Sequence, residues 1–339
     1  MRSAVLRQGT IVVDEVADPV PAMGQVLVRT LACGICGSDL HFVKHGRRMV
    51  ELGRELGAAP TLDIDRDVFM GHEFAAEVLE VGPETLGPSP GTVVTSLPVM
   101  LSLAGIEPIA YSNQLPGGYS ERMLLSAPLL LEVPNGLEAR QAALTEPMAV
   151  GLHAVAKSGI NQREAALVLG CGPVGLAVIA GLRLGGIETI VAADYSPARR
   201  ALARTLGAHR TVDPAEEPPI EAWREHDGRR SLVIFEAVGV PGMLDAAMRD
   251  APVGGRVLVV GVCMEDDRVR PMLGIQKELT IQFALAYTAE EFAGSLRSIA
   301  EGDIDVAPLI TGSVDLDGVA GAFADLASPD THCKIMVEP

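Results

Sequence analysis

The feature that most constrains the fold is a glycine-rich turn between a predicted strand and a predicted helix. The strand is the apolar run Ala166–Leu169, the helix is Gly175–Leu184, and the turn between them reads Gly170-Cys171-Gly172-Pro173-Val174-Gly175. Gly170 allows the sharp turn, Gly172 lets the backbone approach a pyrophosphate, and Gly175 brings the helix close to the strand. The turn therefore predicts a βαβ unit on a parallel sheet, with a nicotinamide dinucleotide bound at the helix N-terminus against Pro173 and Val174.

The residues after the second predicted strand, Thr189–Ala193, bear on the choice of dinucleotide. Asp194 can accept hydrogen bonds from the adenosine ribose hydroxyls, and its charge would repel a 2′-phosphate, which favours NAD over NADP. Arg199 and Arg200 follow closely, and either could neutralise a 2′-phosphate if the loop bends toward it. NAD is therefore the expected cofactor, and NADP stays open as the less favoured one.

The two halves of the chain differ in their hydrophobic pattern. The first ~145 residues contain short β runs separated by glycine and proline. After Pro147, apolar β runs alternate with amphipathic helical stretches, as expected for βαβ units on a parallel sheet. Because 339 residues exceed one ordinary core, two domains are expected.

Composition narrows the range of partners. The chain has 27 Lys and Arg against 44 Asp and Glu, a formal net charge of -17. Such an acidic surface repels nucleic-acid backbones and anionic lipid, so neither nucleic acid nor a membrane is expected as a partner. Charged residues interrupt Met1–Val20, which leaves no signal-peptide core, and five scattered cysteines do not indicate a disulfide framework. A cytoplasmic protein is expected.

Two short motifs carry potential metal ligands, Cys33-Gly34-Ile35-Cys36-Gly37-Ser38-Asp39-Leu40-His41 and Gly71-His72-Glu73. Cys33 and Cys36 could be a redox pair, but no thioredoxin-like pattern surrounds them. They could be half of a structural zinc site, but the chain has no second Cys-x-x-Cys. A catalytic zinc uses three protein ligands and leaves one position open. Cys36 and His72 offer a thiolate and an imidazole, and Glu146 offers a carboxylate.

The order of these motifs resembles that of the medium-chain zinc-dependent alcohol and polyol dehydrogenases, nearly end to end. The order is Cys-Gly-Ser-Asp-x-His, Gly-His-Glu, Glu-Pro-x-Ala-Val-Gly-x-His (146–153) and the glycine-rich turn. The likeness is to the branch of sorbitol, threonine and butanediol dehydrogenases. It implies an α/β protein with a GroES-like β-rich catalytic domain, residues 1–147 and 288–339, and a Rossmann domain with a doubly wound parallel sheet, residues 148–287. The active site is then expected in the cleft between the domains.

The resemblance implies one catalytic zinc per chain, held by Cys36, His72 and Glu146. Glu73 is an alternative third ligand. Neighbours on a strand point to opposite faces, so His72 and Glu73 should not both ligate easily if this segment is extended. Asp39 suits a supporting role, in which it accepts a hydrogen bond from the ring N–H of His72. Cys33 is expected to be a small packed residue.

The same resemblance implies hydride transfer between NAD(H) and a secondary alcohol, diol or polyol, or the corresponding ketone. Zinc would act as a Lewis acid on the substrate oxygen. Ser38 would pass the proton through the cofactor ribose to His41, which exchanges it with solvent. Lys334 matches a family position for a cation beside the pyrophosphate, and the backbone of Gly261 and Val262 is expected to hold the nicotinamide carboxamide.

Two other functions remain possible on the same fold. One is a zinc-free, NADPH-dependent quinone or enone reductase, a class that lacks the cysteine and histidine ligands and favours Arg or Ser where Asp194 stands. The other is a non-catalytic dinucleotide-binding homologue, which would tolerate loss of the candidate ligands. Both are disfavoured because every candidate is present: Cys36, Ser38, Asp39, His41, His72 and Glu146.

The chain departs from many members of that family in two places. Thr92–Leu115 contains no cysteine, so no structural zinc is expected there. The apolar stretch Val99–Ala104 in the same region is expected to be covered by another subunit or by the cleft. The long segment between His41 and His72 could form a lid or a solvated loop. A homo-oligomer, dimer or tetramer, that acts on a small molecule is expected.

Overall fold

The first part of the chain is built mainly from strands. The computed structural model describes residues 1–57, 62–103, 105–328 and 331–339. Its N-terminal strands are β1 (Arg2–Arg7), β2 (Thr10–Glu15), β3 (Gln25–Gly34), β4 (Val68–Phe69), β5 (Glu73–Val81), β6 (Val93–Ser96), β7 (Val99–Ser102), β8 (Gly105–Pro108), β9 (Arg122–Ser126) and β10 (Leu130–Glu132). Two C-terminal strands, β17 (Ile310–Val314) and β18 (Lys334–Val337), join them.

Among the described residues these strands form a seven-stranded sheet, a three-stranded sheet and a hairpin. The large sheet runs β10-β6-β5-β3-β18-β17, with β9 also paired to β3; the small sheet runs β2-β1-β4, and β7 pairs with β8. Strand β18 lies antiparallel to β3, with Met336 opposite Gly34 and Val337 opposite Cys33. The end of the chain therefore lies beside the motif that begins at Cys33.

The second part is a parallel sheet covered by helices. The remaining strands are β11 (Ala165–Leu169), β12 (Thr189–Ala193), β13 (Arg210–Val212), β14 (Leu232–Glu236), β15 (Arg256–Val259) and β16 (Thr280–Phe283). The α-helices of both parts of the chain, in order, are α1 (Gly37–Glu55), α2 (Ala139–Ala142), α3 (Thr145–Ser158), α4 (Pro173–Leu184), α5 (Pro197–Leu206), α6 (Pro219–Asp227), α7 (Met243–Asp250), α8 (Pro271–Lys277), α9 (Ala289–Ala300) and α10 (Val319–Leu326).

The order of the parallel strands places a crevice at the end of β11. In the described part of the chain the sheet runs β13-β12-β11-β14-β15-β16, and every neighbouring pair is parallel. All residues of β11, β12 and β14 are buried, as expected for central strands with helices on both faces. The chain leaves β11 in opposite directions on its two sides, and this reversal is where dinucleotides bind in such sheets.

Helix α1 occupies the first half of the segment between His41 and His72. Its N-terminus is capped because the side chain of Asp39 accepts a hydrogen bond from the backbone N–H of Cys36 at 3.0 Å. Phe42 and Gly46 lie on its buried face. This part of the segment is thus a helix and not the solvated loop that was one of the two expectations, whereas its role as a lid stays a prediction; residues 58–61 lie outside the described residues.

Helix α3 connects the two parts of the molecule. The predicted domain boundary at Pro147 falls inside this helix, so the backbone passes from one part to the other without a loop. At Gly151 the helix packs closely against α4, because a Cβ there would lie 2.3 Å from the carbonyl carbon of Ala177. The two parts are therefore joined through tightly packed helices.

The apolar region expected to be covered forms the β7–β8 hairpin. Met100 is buried beneath it, whereas Leu101, Leu103 and Ile106 are exposed on the surface of the single chain. Ala104, also part of that prediction, lies outside the described residues. Among the helices the structure describes, none has both the length and the apolar character needed to cross a membrane.

Candidate active site

The glycine-rich turn takes the backbone from β11 into α4. Gly170 has a φ of +91°, and a Cβ on Gly175 would lie 2.0 Å from the carbonyl oxygen of Gly170. At Gly172 a Cβ would meet no atom within 4 Å in the described part of the chain, so that side of the turn is open. Pro173 then begins α4. A pyrophosphate at a helix N-terminus requires this arrangement, so these residues fit a dinucleotide.

A crevice of about 970 Å³ extends from this turn past the end of β12. At its edge, the two carboxylate oxygens of Asp194 each accept one backbone N–H, from Cys171 at 2.8 Å and from Ser196 at 2.8 Å. The carboxylate is therefore held in place while each oxygen can still accept another hydrogen bond. Asp194 is thus placed where an adenosine ribose can be recognised.

The two arginines that follow Asp194 differ in their contacts. Arg200 donates to the carboxylate of Asp213 at 2.9 Å and to the carbonyl oxygens of Asp194 and Tyr195, both at 2.7 Å. Arg199 lines the crevice, and its buried Nε has no hydrogen-bond partner among the described residues. Of the two, Arg199 is the one free to meet an anionic ligand.

Three potential metal ligands converge at the start of β5. Ligand atoms of Cys36, His72 and Glu73 all lie within 4.8 Å of one another. Strands β3 and β5 pair with Gly34 opposite Glu73, which brings the loop that carries Cys36 beside His72. Thiolate, imidazole and carboxylate are the donor types that bind zinc in proteins, so the cluster fits a zinc ion.

The electrostatics of the cluster favour a bound cation. Burial raises the pKa of the Cys36 thiol. Burial alone would lower the pKa of His72, but the carboxylate of Asp39 and the thiolate form of Cys36 hold this pKa well above its usual value. A proton on His72 is thus stabilised by the same acceptors that a metal ion would neutralise.

His72 and Glu73 both reach the cluster, which corrects the expectation that they point to opposite faces. Strand β5 begins at Glu73, so His72 belongs to the preceding loop and the alternation of a strand does not apply to this pair. Gly71, with a φ of +94°, turns the backbone just before them. Glu73 therefore cannot be set aside as a ligand on the ground of strand geometry.

Lys334 does not lie where the sequence placed it, beside a pyrophosphate. Its buried amine donates to both carboxylate oxygens of Glu73, at 2.6 and 2.8 Å, and to the carbonyl oxygen of Ile35 at 3.0 Å. These bonds use all three ammonium protons. The reason is the topology: Lys334 begins β18, which pairs with β3, and β3 in turn pairs with β5.

Glu146 lies in the first turn of α3 and lines the same cavity as Cys36 and His72. Burial raises its pKa, while the imidazole of His72 and the hydroxyl of Tyr287 act to lower it. Among the described residues, no Lys or Arg forms an ion pair with Glu146. It is therefore a buried carboxylate whose charge a metal ion could compensate.

Asp39 is fully buried and is held by several donors. Tyr119 donates to Oδ2 at 2.7 Å, and Tyr111 lies 3.0 Å from Oδ1. The Nδ1 atom of His72 lies 3.6 Å from Oδ1 and has no hydrogen-bond partner among the described residues, so the hydrogen bond expected from His72 to Asp39 is not formed, although the two groups are close enough to interact electrostatically. Burial raises the pKa of both tyrosines well above the usual value, so both hydroxyls stay protonated as donors.

The two tyrosines were missed in the sequence. Neither belongs to a recognisable motif, and contacts between segments that are distant in the sequence bring them to Asp39. The signal that could have found them is scarcity: the chain has four tyrosines, and Tyr111 lies within the cysteine-free region Thr92–Leu115 with Tyr119 just after it. Cys33, by contrast, is a fully buried core residue beside the site.

A cavity of about 340 Å³ joins the ligand cluster to the dinucleotide turn. Ser38 and His41 line it from α1, and Ser38 Oγ lies 3.5 Å from His72 Nε2. Burial, with help from the nearby His45 and Lys44, lowers the pKa of His41. The opposite wall contains residues from the turn and from the ends of β14 to β16: Gly172, Pro173, Val174, Ala237, Val238, Val260, Gly261, Val262, Ala284, Leu285 and Ala286.

Comparisons with known proteins agree with this geometry. Residues 22–135 match the model of the alcohol dehydrogenase GroES-like domain, and residues 173–301 match that of zinc-binding dehydrogenases. An (R,R)-butanediol dehydrogenase of Bacillus subtilis (strain 168) is 31% identical over 98% of this chain and 97% of its own length. The chain belongs to the medium-chain zinc-dependent alcohol and polyol dehydrogenase family.

Solved structures of similar proteins extend over the whole of this dehydrogenase. A 2R,3R-butanediol dehydrogenase from Bacillus subtilis superposes with a TM-score of 0.85 at 30% identity and covers 100% of this chain and 99% of its own. A protein from Sinorhizobium meliloti 1021, described as a zinc-binding dehydrogenase and bound to NADP, gives 0.85 at 27% identity, with 100% and 99% coverage. The predicted fold class and family are thus confirmed.

Family membership also settles the general chemistry of this dehydrogenase. It is an oxidoreductase that acts on alcohols and uses zinc and a nicotinamide cofactor. None of these matches supports the zinc-free reductase or the non-catalytic homologue better than it supports the zinc-dependent dehydrogenase.

We predict that replacing Lys334 by Met destabilises the zinc-free protein by about 3–5 kcal/mol, because it leaves the buried carboxylate of Glu73 without its cation. The measurement is the free energy of unfolding in urea. The matched control is Lys157→Met on the exposed side of α3, which should change stability by less than about 0.5 kcal/mol. Adding Glu73→Gln to Lys334→Met should recover most of the lost stability, because it removes the unpaired carboxylate charge. If Lys334→Met is as stable as the unmodified protein, the prediction is wrong.

Proposed function

We propose that this dehydrogenase transfers hydride between NAD(H) and a secondary alcohol, diol or polyol, or the corresponding ketone, at the cavity between the ligand cluster and the glycine-rich turn. The observation that carries the proposal is that one cavity of about 340 Å³ is lined both by Cys36 and His72 and by Gly172. A hydroxyl at the ligands can then face a nicotinamide. The Bacillus subtilis relative is a butanediol dehydrogenase, so a vicinal diol is the first substrate to test.

Cys36, His72 and Glu146 are the ligands that we assign to a single catalytic zinc, with Glu73 as the alternative to Glu146. Glu73 already has a full counter-charge in Lys334, whereas Glu146 has no such partner in the described part of the chain. A bound zinc ion supplies Lewis-acid polarisation of the substrate oxygen, and a bound nicotinamide exchanges the hydride. The absence of cysteine from Thr92–Leu115 supports our assignment of no structural zinc.

Side chains of α1 supply the proton path in this proposal. Ser38 faces the cavity and can take a proton from a substrate hydroxyl. His41 lies one helical turn further on, at the same cavity, and can exchange the proton with solvent. Asp39 supports His72 from behind the ligand cluster.

The wall opposite the ligands suits the carbon skeleton of a small substrate. Its side chains are mainly aliphatic, with Val174, Val238 and Leu285 among them. The cavity therefore offers polar groups at one end and apolar contact elsewhere. We assign residues 1–147 with 288–339 to the catalytic domain and 148–287 to the dinucleotide-binding domain, so that this cavity lies between them.

NAD is the cofactor that we propose, with contacts at Gly170, Gly172, Pro173, Val174, Gly175, Asp194, Arg199, Gly261 and Val262. The charge of Asp194 opposes a 2′-phosphate, although the free Nε of Arg199 leaves room for NADP. A cytoplasmic location is supported by the free thiols of the cysteines.

We also propose a homo-oligomer. Strand β16 is the edge of the parallel sheet in the described part of the chain, and its other neighbour position is open. Phe283 on this strand and Met272 and Ile275 on the adjacent α8 are exposed. An open edge flanked by apolar side chains favours pairing with a second copy about a two-fold axis.

The central prediction concerns Cys36. We expect Cys36→Ser to lose bound zinc and at least roughly 100-fold of turnover, because serine is a poor zinc ligand, while NAD still binds at the distant turn. Metal analysis, the absorbance of NADH at 340 nm with butanediol, and calorimetric titration of NAD measure the three effects. Cys263→Ser, at a half-exposed cysteine, is the matched control and should keep all three. Undiminished turnover of Cys36→Ser after removal of zinc would refute the mechanism.

Cofactor choice is expected to depend on the charge of Asp194. Asp194→Asn should shift the ratio of dissociation constants toward NADP by at least about tenfold, because it removes a like charge from the 2′-phosphate position. The ratio is measured by calorimetric titration with both dinucleotides. Asp325→Asn, an exposed residue on α10, makes the same charge change at a remote position and should leave the ratio unaltered. If Asp194→Asn also leaves the ratio of the two dissociation constants unchanged, the charge of Asp194 is not the basis of cofactor selectivity.

The oligomer is expected to depend on the β16 edge. Phe283→Glu should lower the mass in sedimentation velocity to that of a single chain or weaken association strongly, since it places a charge in an apolar contact. Leu86→Glu makes the same kind of change at another exposed apolar residue, away from this edge, and should leave the mass unchanged. A single-chain mass for the unmodified protein would show that the proposed association does not occur.

A further inference from the structure

Glu236 is a buried carboxylate at the carboxyl end of β14, and the proposed mechanism makes no use of it. Its Oε1 atom accepts the backbone N–H of Val238 at 2.8 Å and that of Gly239 at 2.9 Å. Only 2% of the residue is exposed, and in the described part of the chain no Lys or Arg forms an ion pair with it. A buried acid without a counter-charge is costly, so its presence here calls for a functional explanation.

The hydrogen bonds of Glu236 favour its ionised form. Burial raises the pKa of this carboxyl, the N–H groups of Gly239 and Val238 lower it, and the carboxylate of Asp267 acts to raise it. Both N–H groups donate to a single oxygen, and a carboxylate accepts two such bonds without a proton of its own. The loop after β14 thus holds a carboxylate anion in a fixed position.

This carboxylate lies directly behind the cavity wall at which we place the nicotinamide. A Cβ on Gly261 would lie 2.9 Å from Glu236 Oε2 and 2.4 Å from the backbone nitrogen of Gly239. The N–H groups of Val260 and Gly261 also donate to the backbone carbonyl oxygen of Glu236, at 2.8 and 2.9 Å. Val260 and Gly261 line the cavity, and Glu236 is not among the residues that do. One layer of backbone therefore separates the charge of Glu236 from the cofactor site.

We propose that the charge of Glu236 makes this site bind the oxidised nicotinamide ring more tightly than the reduced one. The oxidised ring carries one positive charge, and a hydride taken from an alcohol carbon brings two electrons that cancel it. A buried anion behind the ring attracts the charged form through a medium of low dielectric constant and offers little to the neutral form. Glu236 is thus a specificity-determining residue for the redox state of the cofactor. This role rests on the proposed placement of the nicotinamide at Gly261 and Val262.

A role of Glu236 in supporting the loop alone predicts a different outcome. The carboxylate holds Val238 and Gly239, which lies against Gly261, and loss of that support would weaken both redox forms of the cofactor alike. Glu236→Gln separates the two roles, because the amide oxygen can still accept both N–H groups while the charge is removed. Glu188→Gln makes the same change just before β12, at the opposite edge of the parallel sheet, and is the matched control.

The test measures dissociation constants in the zinc-loaded, full-length enzyme without an alcohol. Calorimetric titration measures the binding of NAD and of ADP-ribose, which lacks the ring, and fluorescence measures the binding of NADH. Glu236→Gln should raise the dissociation constant of NAD at least about threefold and change those of NADH and ADP-ribose by less than about twofold. Glu188→Gln should change none of the three. Equal weakening of NAD and NADH in Glu236→Gln, or no weakening of NAD, would overturn the inference.

A charge-retaining variant checks that the charge of the side chain decides, and not its shape. Glu236→Asp shortens the side chain by one methylene group but keeps the carboxylate. The ratio of the NAD and NADH dissociation constants should therefore stay within about twofold of that in the unmodified enzyme, even if both cofactors bind more weakly. A shift of this ratio as large as in Glu236→Gln would overturn the role of the charge.

A neutral analogue gives a test on the unmodified enzyme, which does not depend on the folding of a variant. Benzamide adenine dinucleotide carries an uncharged ring of the same shape as nicotinamide. The unmodified enzyme should bind NAD at least about threefold more tightly than this analogue, and equal affinities would overturn the role of Glu236. If the unmodified enzyme binds neither NAD nor NADH, the proposed function fails together with this role. If it binds both and oxidises butanediol, but Glu236→Gln leaves their ratio unchanged, the role of Glu236 alone fails.

Discussion

The buried ion pair between Glu73 and Lys334 is the contact on which the geometry of the site depends. It joins two residues 261 positions apart, at the start of β5 and at the start of β18. The same amine binds the carbonyl oxygen of Ile35, next to Cys36. A buried charge is tolerated only when its partner and its hydrogen bonds are complete, so this pair fixes how the two strands and the Cys36 loop meet. The candidate zinc ligands take their positions from it.

Three buried carboxylates lie at this site, and the negative charge of each is compensated in a different way. Asp39 is held by the backbone N–H of Cys36, by two tyrosine hydroxyls and by the nearby His72. Glu73 has the full charge of Lys334. Glu146 is left with a hydroxyl and the edge of an imidazole, and burial raises its pKa. Glu146 is therefore the carboxylate without a full counter-charge, and in our proposal a zinc ion at Cys36 and His72 supplies it.

Sequence reasoning succeeded where the signal is local. Strand β12 has the predicted bounds, and strand β11 and helix α4 end at the predicted residues, because apolar periodicity is a property of a few neighbouring residues. It failed where a contact between two residues depends on the pairing of segments that are distant in the sequence. Lys334 reaches Glu73 only through the order β5-β3-β18, and Tyr111 reaches Asp39 only through a bridge to Phe69. His72 lies just outside β5, so the condition under which its neighbour Glu73 was disfavoured is not met, and Glu73 stays an alternative ligand.

Helix α3 holds the candidate ligands of one part of the chain at a fixed distance from the cofactor site of the other part. Glu146 lies in its first turn, and Gly151 packs on Ala177 of α4, the helix whose N-terminus would bind the pyrophosphate. From the other side, Ser295 of α9 donates to the carbonyl oxygen of Thr145 at 2.9 Å. Packed helices deform little, so the distance from Glu146, the third ligand in our proposal, to the turn is set by these contacts and not by loops. Hydride transfer depends on that distance, and a rigid helix shared by both sites is a physical means of holding it.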